Sequence, residues 1–226
     1  MNFLLTNDDG FDAAGIASLR DVLSKFGRVI TMAPAEEHSG CGHRFTAFSE
    51  ISVEMESEDQ YVVSGTPVDC TRVGLFMFGD DIDWVVAGIN HGGNLGTDVF
   101  ASGTVAAVRE GALRGKPGMS FSQFHNQTGL QWKRSADQAE YVLRELLSRP
   151  SPGAGFWNVN FPAFHTENTS PTLVDCPLDV TPLELDFQQQ DNRYRFVGSY
   201  HDRPRASNHD VDVCFRGEIS VTLVQP

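Results

Sequence analysis

The 226-residue chain is poor in cations: 17 lysines and arginines face 30 aspartates and glutamates, a formal net charge of −13. Neutralising the phosphates of a nucleic-acid duplex takes clustered basic side chains, so this balance argues against such a partner; any phosphate handled here is bound locally. The four cysteines, Cys41, Cys70, Cys176 and Cys214, are scattered and form no CxxC pair. That spacing suggests neither a zinc module nor a disulfide framework, and it predicts the reduced thiols of a cytoplasmic protein. No apolar run approaches the about 18 to 20 residues that span a bilayer, and no charged-then-apolar leader precedes Phe3, so no membrane partner is expected. Internal repeats and low-complexity segments are absent as well. What remains, with 40% hydrophobic residues, suffices for one large domain with or without an appended lobe.

The periodicity of the first two-thirds is βα alternation. Phe3 to Thr6 reads as a strand, Ala14 to Phe26 as a helix with Ile16, Leu19, Val22, Leu23 and Phe26 at helical spacing, and Val29 to Ala33 as a second strand. A long polar loop, 34–44, follows. Residues 51–64 predict a hairpin. Thr66-Pro67-Val68-Asp69 predicts a capped helix running to about Phe78, because Thr66 can cap, Pro67 suits the first turn and Asp69 can close a capping box. Further along come a strand at Trp84 to Ala87, a glycine-rich stretch from Gly88 to Gly103, a helix through Leu113 and a strand at Gly118 to Ser122. A helix from about Leu130 to Leu147 and a strand at Phe156 to Phe161 complete the alternation. The pattern predicts an α/β protein with a parallel sheet and right-handed crossovers.

Residues 1–162 are therefore expected to form the catalytic core, and residues 163–226 a β-rich C-terminal segment. The latter offers strand-like pieces at Leu183 to Leu185, Arg193 to Val197, Val211 to Phe215 and Ile219 to Val224, with no convincing helix. It is read as an arm or lobe, folded back on its own domain or completing a neighbouring subunit.

The chemistry gathers where strands end. Phe3 to Thr6 runs straight into Asn7-Asp8-Asp9-Gly10, and the carboxyl end of a central strand is where ligands of α/β proteins collect. Two adjacent acids raise each other's pKa unless a cation neutralises them, so a hard metal ion is expected; turn formation by the same residues is the plainer alternative. Asn90, in Gly88-Ile89-Asn90-His91-Gly92-Gly93-Asn94-Leu95-Gly96, leaves another strand and offers a neutral oxygen to Mg²⁺, Mn²⁺ or Ca²⁺. Ser39 could bring a hydroxyl to the same edge. Ser102-Gly103-Thr104 opens a helix whose amides and hydroxyls could cradle a phosphate, or simply cap the helix. Of the histidines, His43 and His91 could contact substrate or supply a proton; His125, His165, His201 and His209 form no ligand-spaced cluster.

Asn7-Asp8-Asp9-Gly10, Ala33-Pro34 with Ser39-Gly40, Gly65-Thr66-Pro67 with Asp69-Cys70, Gly88-Ile89-Asn90 with Gly92, Asn94 and Gly96, and Ser102-Gly103-Thr104-Val105 with Glu110-Gly111 stand in one order over the first half. Together they resemble the SurE family of stationary-phase survival nucleotidases. Asn158-Val159-Asn160-Phe161-Pro162 extends the likeness more weakly. The resemblance implies a Rossmann-like three-layer sandwich assembled as a homodimer or homotetramer. It implies a phosphomonoesterase acting on nucleoside monophosphates, with one divalent ion per subunit on Asp8, Asp9, Ser39 and Asn90. Phosphate positions then fall on Asn94, Ser102, Gly103 and Thr104, with Asp8 and Asp9 catalytic. Where the family loop continues in an Asn-Ser pair, this chain has Gly42-His43-Arg44, which leaves contacts to the nucleoside open. Receiver-type signalling modules, which also carry paired acids after a first strand, and a catalytically degenerate metal- and nucleotide-binding relative are the alternatives.

Overall fold

In a computed structural model, residues 1–125, 129–163 and 171–226 are described. The elements run β1 (Asn2–Thr6), α1 (Ala14–Leu23), β2 (Arg28–Pro34), β3 (Val53–Ser57), β4 (Gln60–Val63), α2 (Pro67–Phe78), β5 (Trp84–His91), α3 (Gly103–Leu113), β6 (Gly118–Gln123), α4 (Trp132–Leu147) and β7 (Phe156–Phe161). The C-terminal part adds β8 (Leu173–Asp175), β9 (Phe187–Gln190), β10 (Arg193–Phe196), α5 (Asp210–Phe215) and β11 (Ile219–Val224). Nine strands share one sheet in the order β3-β4-β2-β1-β5-β6-β7-β11-β8, and β9 and β10 form a separate hairpin.

The central strands are parallel; β3 against β4 and β11 against β7 are antiparallel. The α/β fold with a mostly parallel sheet expected from the alternation is therefore present. Alternate residues of β1 face opposite layers. Phe3 and Leu5 join Ile16 and Leu19 of α1 and Val142 and Leu146 of α4, whereas Leu4 packs with Cys70 of α2 on the other side. Each such fully buried apolar side chain contributes about 1.5–3 kcal/mol relative to exposure. Gly15 lets α1 approach β5: a Cβ there would lie 2.0 Å from the Ile89 carbonyl oxygen. Thr66 caps α2 as its sequence predicts, with both halves of the capping box formed by Thr66 and Asp69.

From β1 the chain steps to β2 on one side and returns to β5 on the other. Such a reversal opens a crevice at the carboxyl ends of the two strands, and both acids and the glycine-rich loop emerge there. β5 runs four residues beyond the predicted Ala87, and a register irregularity against β6 separates Ala87 from Asn90.

The C-terminal expectation needs correction in two places. Val211 to Phe215 is helical, not extended, and Leu183 to Leu185 is not a strand. Alternation over five residues does not separate strand from a short helix. Asp210 settles the outcome through tertiary contacts, its buried carboxylate accepting from the main-chain N–H groups of Gly96, Asp179 and Val211. β11 inserts between β7 and β8 in the main sheet, while the β9–β10 hairpin leaves Phe187, Tyr194 and Phe196 exposed.

Candidate active site

Asp8 and Asp9 follow β1 after a single intervening residue, Asn7. The turn is shaped by Asn7, whose amide donates to the Gly10 carbonyl at 2.7 Å, and by Gly10 itself, whose φ of +101° suits glycine. Asp8 is buried, 4% exposed, and its Oδ1 accepts a short hydrogen bond from the Thr104 hydroxyl. Burial raises the Asp8 pKa; the Thr104 hydroxyl and the amides of Thr104 and Gly103 oppose that rise without cancelling it. Asp9 Oδ2 accepts from the His91 main-chain N–H at 3.2 Å. Burial, then the neighbouring charge of Asp8, push the Asp9 carboxyl up to about 6.

The N-terminus of α3 closes over Asp8. Ser102 caps it, its hydroxyl oxygen accepting from the Val105 N–H at 3.0 Å. Gly103 gives the room: a Cβ there would sit 2.9 Å from Asp8 Cβ, from Asp8 Oδ2 and from Cys41 Sγ. Thr104 Oγ1 also lies 3.5 Å from Asn90 Oδ1, and Asn90 turns its amide N–H onto the Gly92 carbonyl at 2.9 Å. That orientation leaves the Asn90 side-chain oxygen toward Thr104, the residue that also bonds Asp8.

Loop 34–44 reaches the same edge through backbone. The His38 N–H donates to the Asp8 carbonyl at 2.7 Å, and the Gly42 N–H to the Ala101 carbonyl at 2.9 Å. Ser39 is exposed and its hydroxyl bonds Glu37. Asn94 is buried in a polar seam: its N–H donates to Asn160 Oδ1, its side-chain amide to Ser122 Oγ, and its carbonyl accepts from the amides of Asn158 and Asn160. His43 turns to Glu110 at 3.0 Å.

The structure therefore joins Asp8, Asp9, Asn90, Gly103 and Thr104 by direct contact or a shared turn, and ties His38, the residue before Ser39, to the Asp8 carbonyl, whereas the Ser39 hydroxyl itself is turned to Glu37. Asn94 and His43 are anchored to Asn160 and Glu110 instead. Three participants carried no site role in the sequence. Cys41 packs at Gly103. Asp69 takes the Thr46 N–H and hydroxyl in addition to its capping role, tying down the far end of the loop. Glu110, 4% exposed, gathers His43, Arg72 and Arg114. Local patterning carries no trace of Thr46 on Asp69 or of His43 and Arg72 on Glu110, since these partners are distant in sequence; only Arg114 stands one helical turn from Glu110. His165 lies outside the described residues.

Two carboxylates with raised pKa and no ion pair to either among the described residues, beside an amide oxygen and a hydroxyl, suit a hard divalent cation. No group of three or more His, Cys, Asp or Glu side chains placed to hold a metal occurs among the described residues. The donor set here is mixed, two acids completed by neutral oxygens.

The family model described as survival protein SurE matches residues 3–179. A putative 5'-nucleotidase from Synechocystis sp. is 43% identical over 226 residues, covering all of both chains. The 5'-nucleotidase SurE of Rhodospirillum rubrum is 37% identical over 97% of this chain and 88% of its own. The crystal structure of the SurE protein from Aquifex aeolicus superposes with a TM-score of 0.87 at 28% identity, covering 100% of this chain and 93% of that one.

Proposed function

The chain belongs to the SurE family, and from that premise we propose a divalent-metal-dependent 5'-nucleotidase that hydrolyses nucleoside monophosphates to nucleoside and phosphate. The receiver-like alternative is not favoured, because the family match extends over most of the chain. The observation that carries the site assignment is the pair Asp8 and Asp9, both with raised pKa and no cationic partner among the described residues, at the reversal point of the sheet.

In this reading Asp8, Asp9, Asn90 and Ser39 hold one Mg²⁺, Mn²⁺ or Ca²⁺ ion. When bound, that ion supplies Lewis-acid polarisation of the phosphoryl group and a water of lowered pKa for in-line attack. Thr104 keeps the Asp8 carboxylate oriented through its hydroxyl. Ser102 accepts from Val105 with its oxygen, so its own O–H remains able to donate to a phosphate oxygen. The Gly103 and Thr104 amides and the α3 dipole favour negative charge at this end of the helix. Asn94, locked in its seam, and His43 complete the substrate contacts.

A cytoplasmic location accords with four free thiols. Assembly as a homodimer or homotetramer accords with the exposed aromatic side chains of the β9–β10 hairpin. The test is phosphate release from a nucleotide panel with Mn²⁺ or Mg²⁺, run beside Asp8→Asn. Loss of about 100-fold or more is expected, exceeding the effect of losing an outer partner of a ligand. Full activity in the variant would sink the assignment.

A further inference from the structure

The C-terminal ends of α2 and α3 enclose a cleft of about 460 Å³ lined by Arg72, Leu75, Phe76, Asp80, Arg114 and Lys116. This lies within the size range of small-molecule pockets. It concentrates three of the 17 basic residues of an otherwise acidic chain. Two of the cations share one carboxylate: Arg72 and Arg114 each donate their Nε–H to Glu110 Oε1, and Arg114 Nη2 forms an ion pair with the same oxygen at 2.8 Å. Lys116 donates to the Gly79 and Ile82 carbonyls at 2.7 and 2.8 Å and meets no acid among the described residues. A guanidinium carries five N–H donors and an ammonium three. Four on Arg72, three on Arg114 and one on Lys116 thus have no acceptor among the described residues. Lys116 also neutralises the carbonyl of Gly79, the end of α2, which would otherwise repel an anion. Leu75 and the 90% exposed Phe76 supply an apolar wall beside these donors.

We propose that this cleft is a second anion site, taking a phosphoryl dianion borne by a small molecule, and that its occupancy is transmitted to the loop carrying Ser39 and His43. The link is Glu110. One of its carboxylate oxygens holds Arg72 and Arg114, and the other holds His43 Nε2. An anion that draws the arginines outward strips Glu110 of the charges balancing it and alters its grip on His43. Arginine pairs recognise phosphoryl groups through parallel N–H bonds, and Arg114, half exposed, is free to turn. Inorganic phosphate and an organic phosphate ester share the recognised chemistry; the apolar wall distinguishes them by favouring the ester.

The experiment titrates inorganic phosphate and adenosine 5'-monophosphate separately into the metal-free full chain, following the Arg72 and Arg114 Nε–H and the His43 ring signals by NMR. Saturable shifts at both arginines are expected with either probe, at lower concentration for the ester, and, because His43 is also assigned to substrate contact, the part of its shift that Arg114→Gln removes is the one that reports the coupling. Arg114→Gln and Lys116→Gln should each weaken the response at least tenfold, whereas Asp8→Asn should leave it intact. If Lys116→Gln unfolds, having lost the ties to Gly79 and Ile82, Arg114→Gln still decides. Absence of saturable arginine shifts, or an unchanged response in Arg114→Gln, overturns the site; arginine shifts with a stationary His43 overturn the coupling. Because the readout is binding without metal or turnover, failure of the nucleotidase reading would show separately, in the activity of Asp8→Asn.

Discussion

The hydroxyl of Thr104, in the first turn of α3, donates to Asp8 Oδ1 at the end of β1, 96 residues away in the chain. It is a contact that ties the first turn of α3 to the acid pair. Thr104→Val keeps the volume and removes the donor. A hydrogen bond to a charged group contributes about 1.5–3 kcal/mol, so metal affinity measured by calorimetry is expected to fall by at least tenfold, with a denaturant midpoint that moves modestly. Unchanged metal binding would remove Thr104 from its orienting role.

On the proposed ligand set, Asp9 should link metal affinity to pH. Its carboxyl, pushed up to about 6, holds its proton well above the ordinary value of 3.8 in the metal-free protein. A ligand must lose its proton before it binds a cation, so affinity should rise with pH through 6 and level off above it. Between pH 7 and pH 5 the ionised fraction falls about tenfold, and the Mn²⁺ dissociation constant should rise by a similar factor. A flat profile over that interval would mean that Asp9 is not a ligand.

Gly103 is required for space. Gly103→Ala places a methyl group 2.9 Å from both Asp8 and Cys41, closer than neighbouring atoms tolerate. Asp8 must shift or α3 must withdraw, and phosphate release is expected to drop by about two orders of magnitude, as when a 1 Å misplacement disturbs a reacting geometry. Cys41→Ala relieves only one of the two contacts, so its combination with Gly103→Ala should restore activity partially at most. Full recovery in the double variant would show that the thiol, not Asp8, was the obstacle.

Glu110 should be visible in acid unfolding. Burial raises its pKa, but His43, Arg114 and Arg72 together hold it below the ordinary 4.5. With a folded-state pKa below the unfolded one, the contribution is present above pH 4.5 and is lost as pH falls through the folded value. Chemical denaturation of wild type and Glu110→Gln should differ by about 1–3 kcal/mol at pH 7, discounted because Arg72 and Arg114 are 32% and 52% exposed. The two curves should converge as pH falls through the folded-state value, which lies below 4.5. A difference that persists there would be packing, not charge.

The helix and strand order of residues 1–162 was legible because each element is long enough for its period to declare itself and is bounded by glycine, proline or a cap. Thr66-Pro67 before α2 is the clearest instance. Asp210 to Phe215 was not legible, because Val211 and Val213 alternate with polar neighbours as a strand would; the buried Asp210 carboxylate and its three N–H donors decide for helix. The Phe187 to Gln190 strand was equally hidden, since three glutamines carry little β-preference and only pairing with Arg193 to Phe196 holds them extended.

From composition and order alone came the acidic α/β chain, its elements through β7, and the acid pair at the first strand's end, because these depend on local spacing and on the chemistry of adjacent groups. Only the folded sheet decided that Thr104 would restrain Asp8, that Asn158 and Asn160 would lock Asn94, and that His43 would turn to Glu110. Those pairings join residues tens of positions apart, whose meeting depends on strand order and helix packing rather than on any short-range pattern.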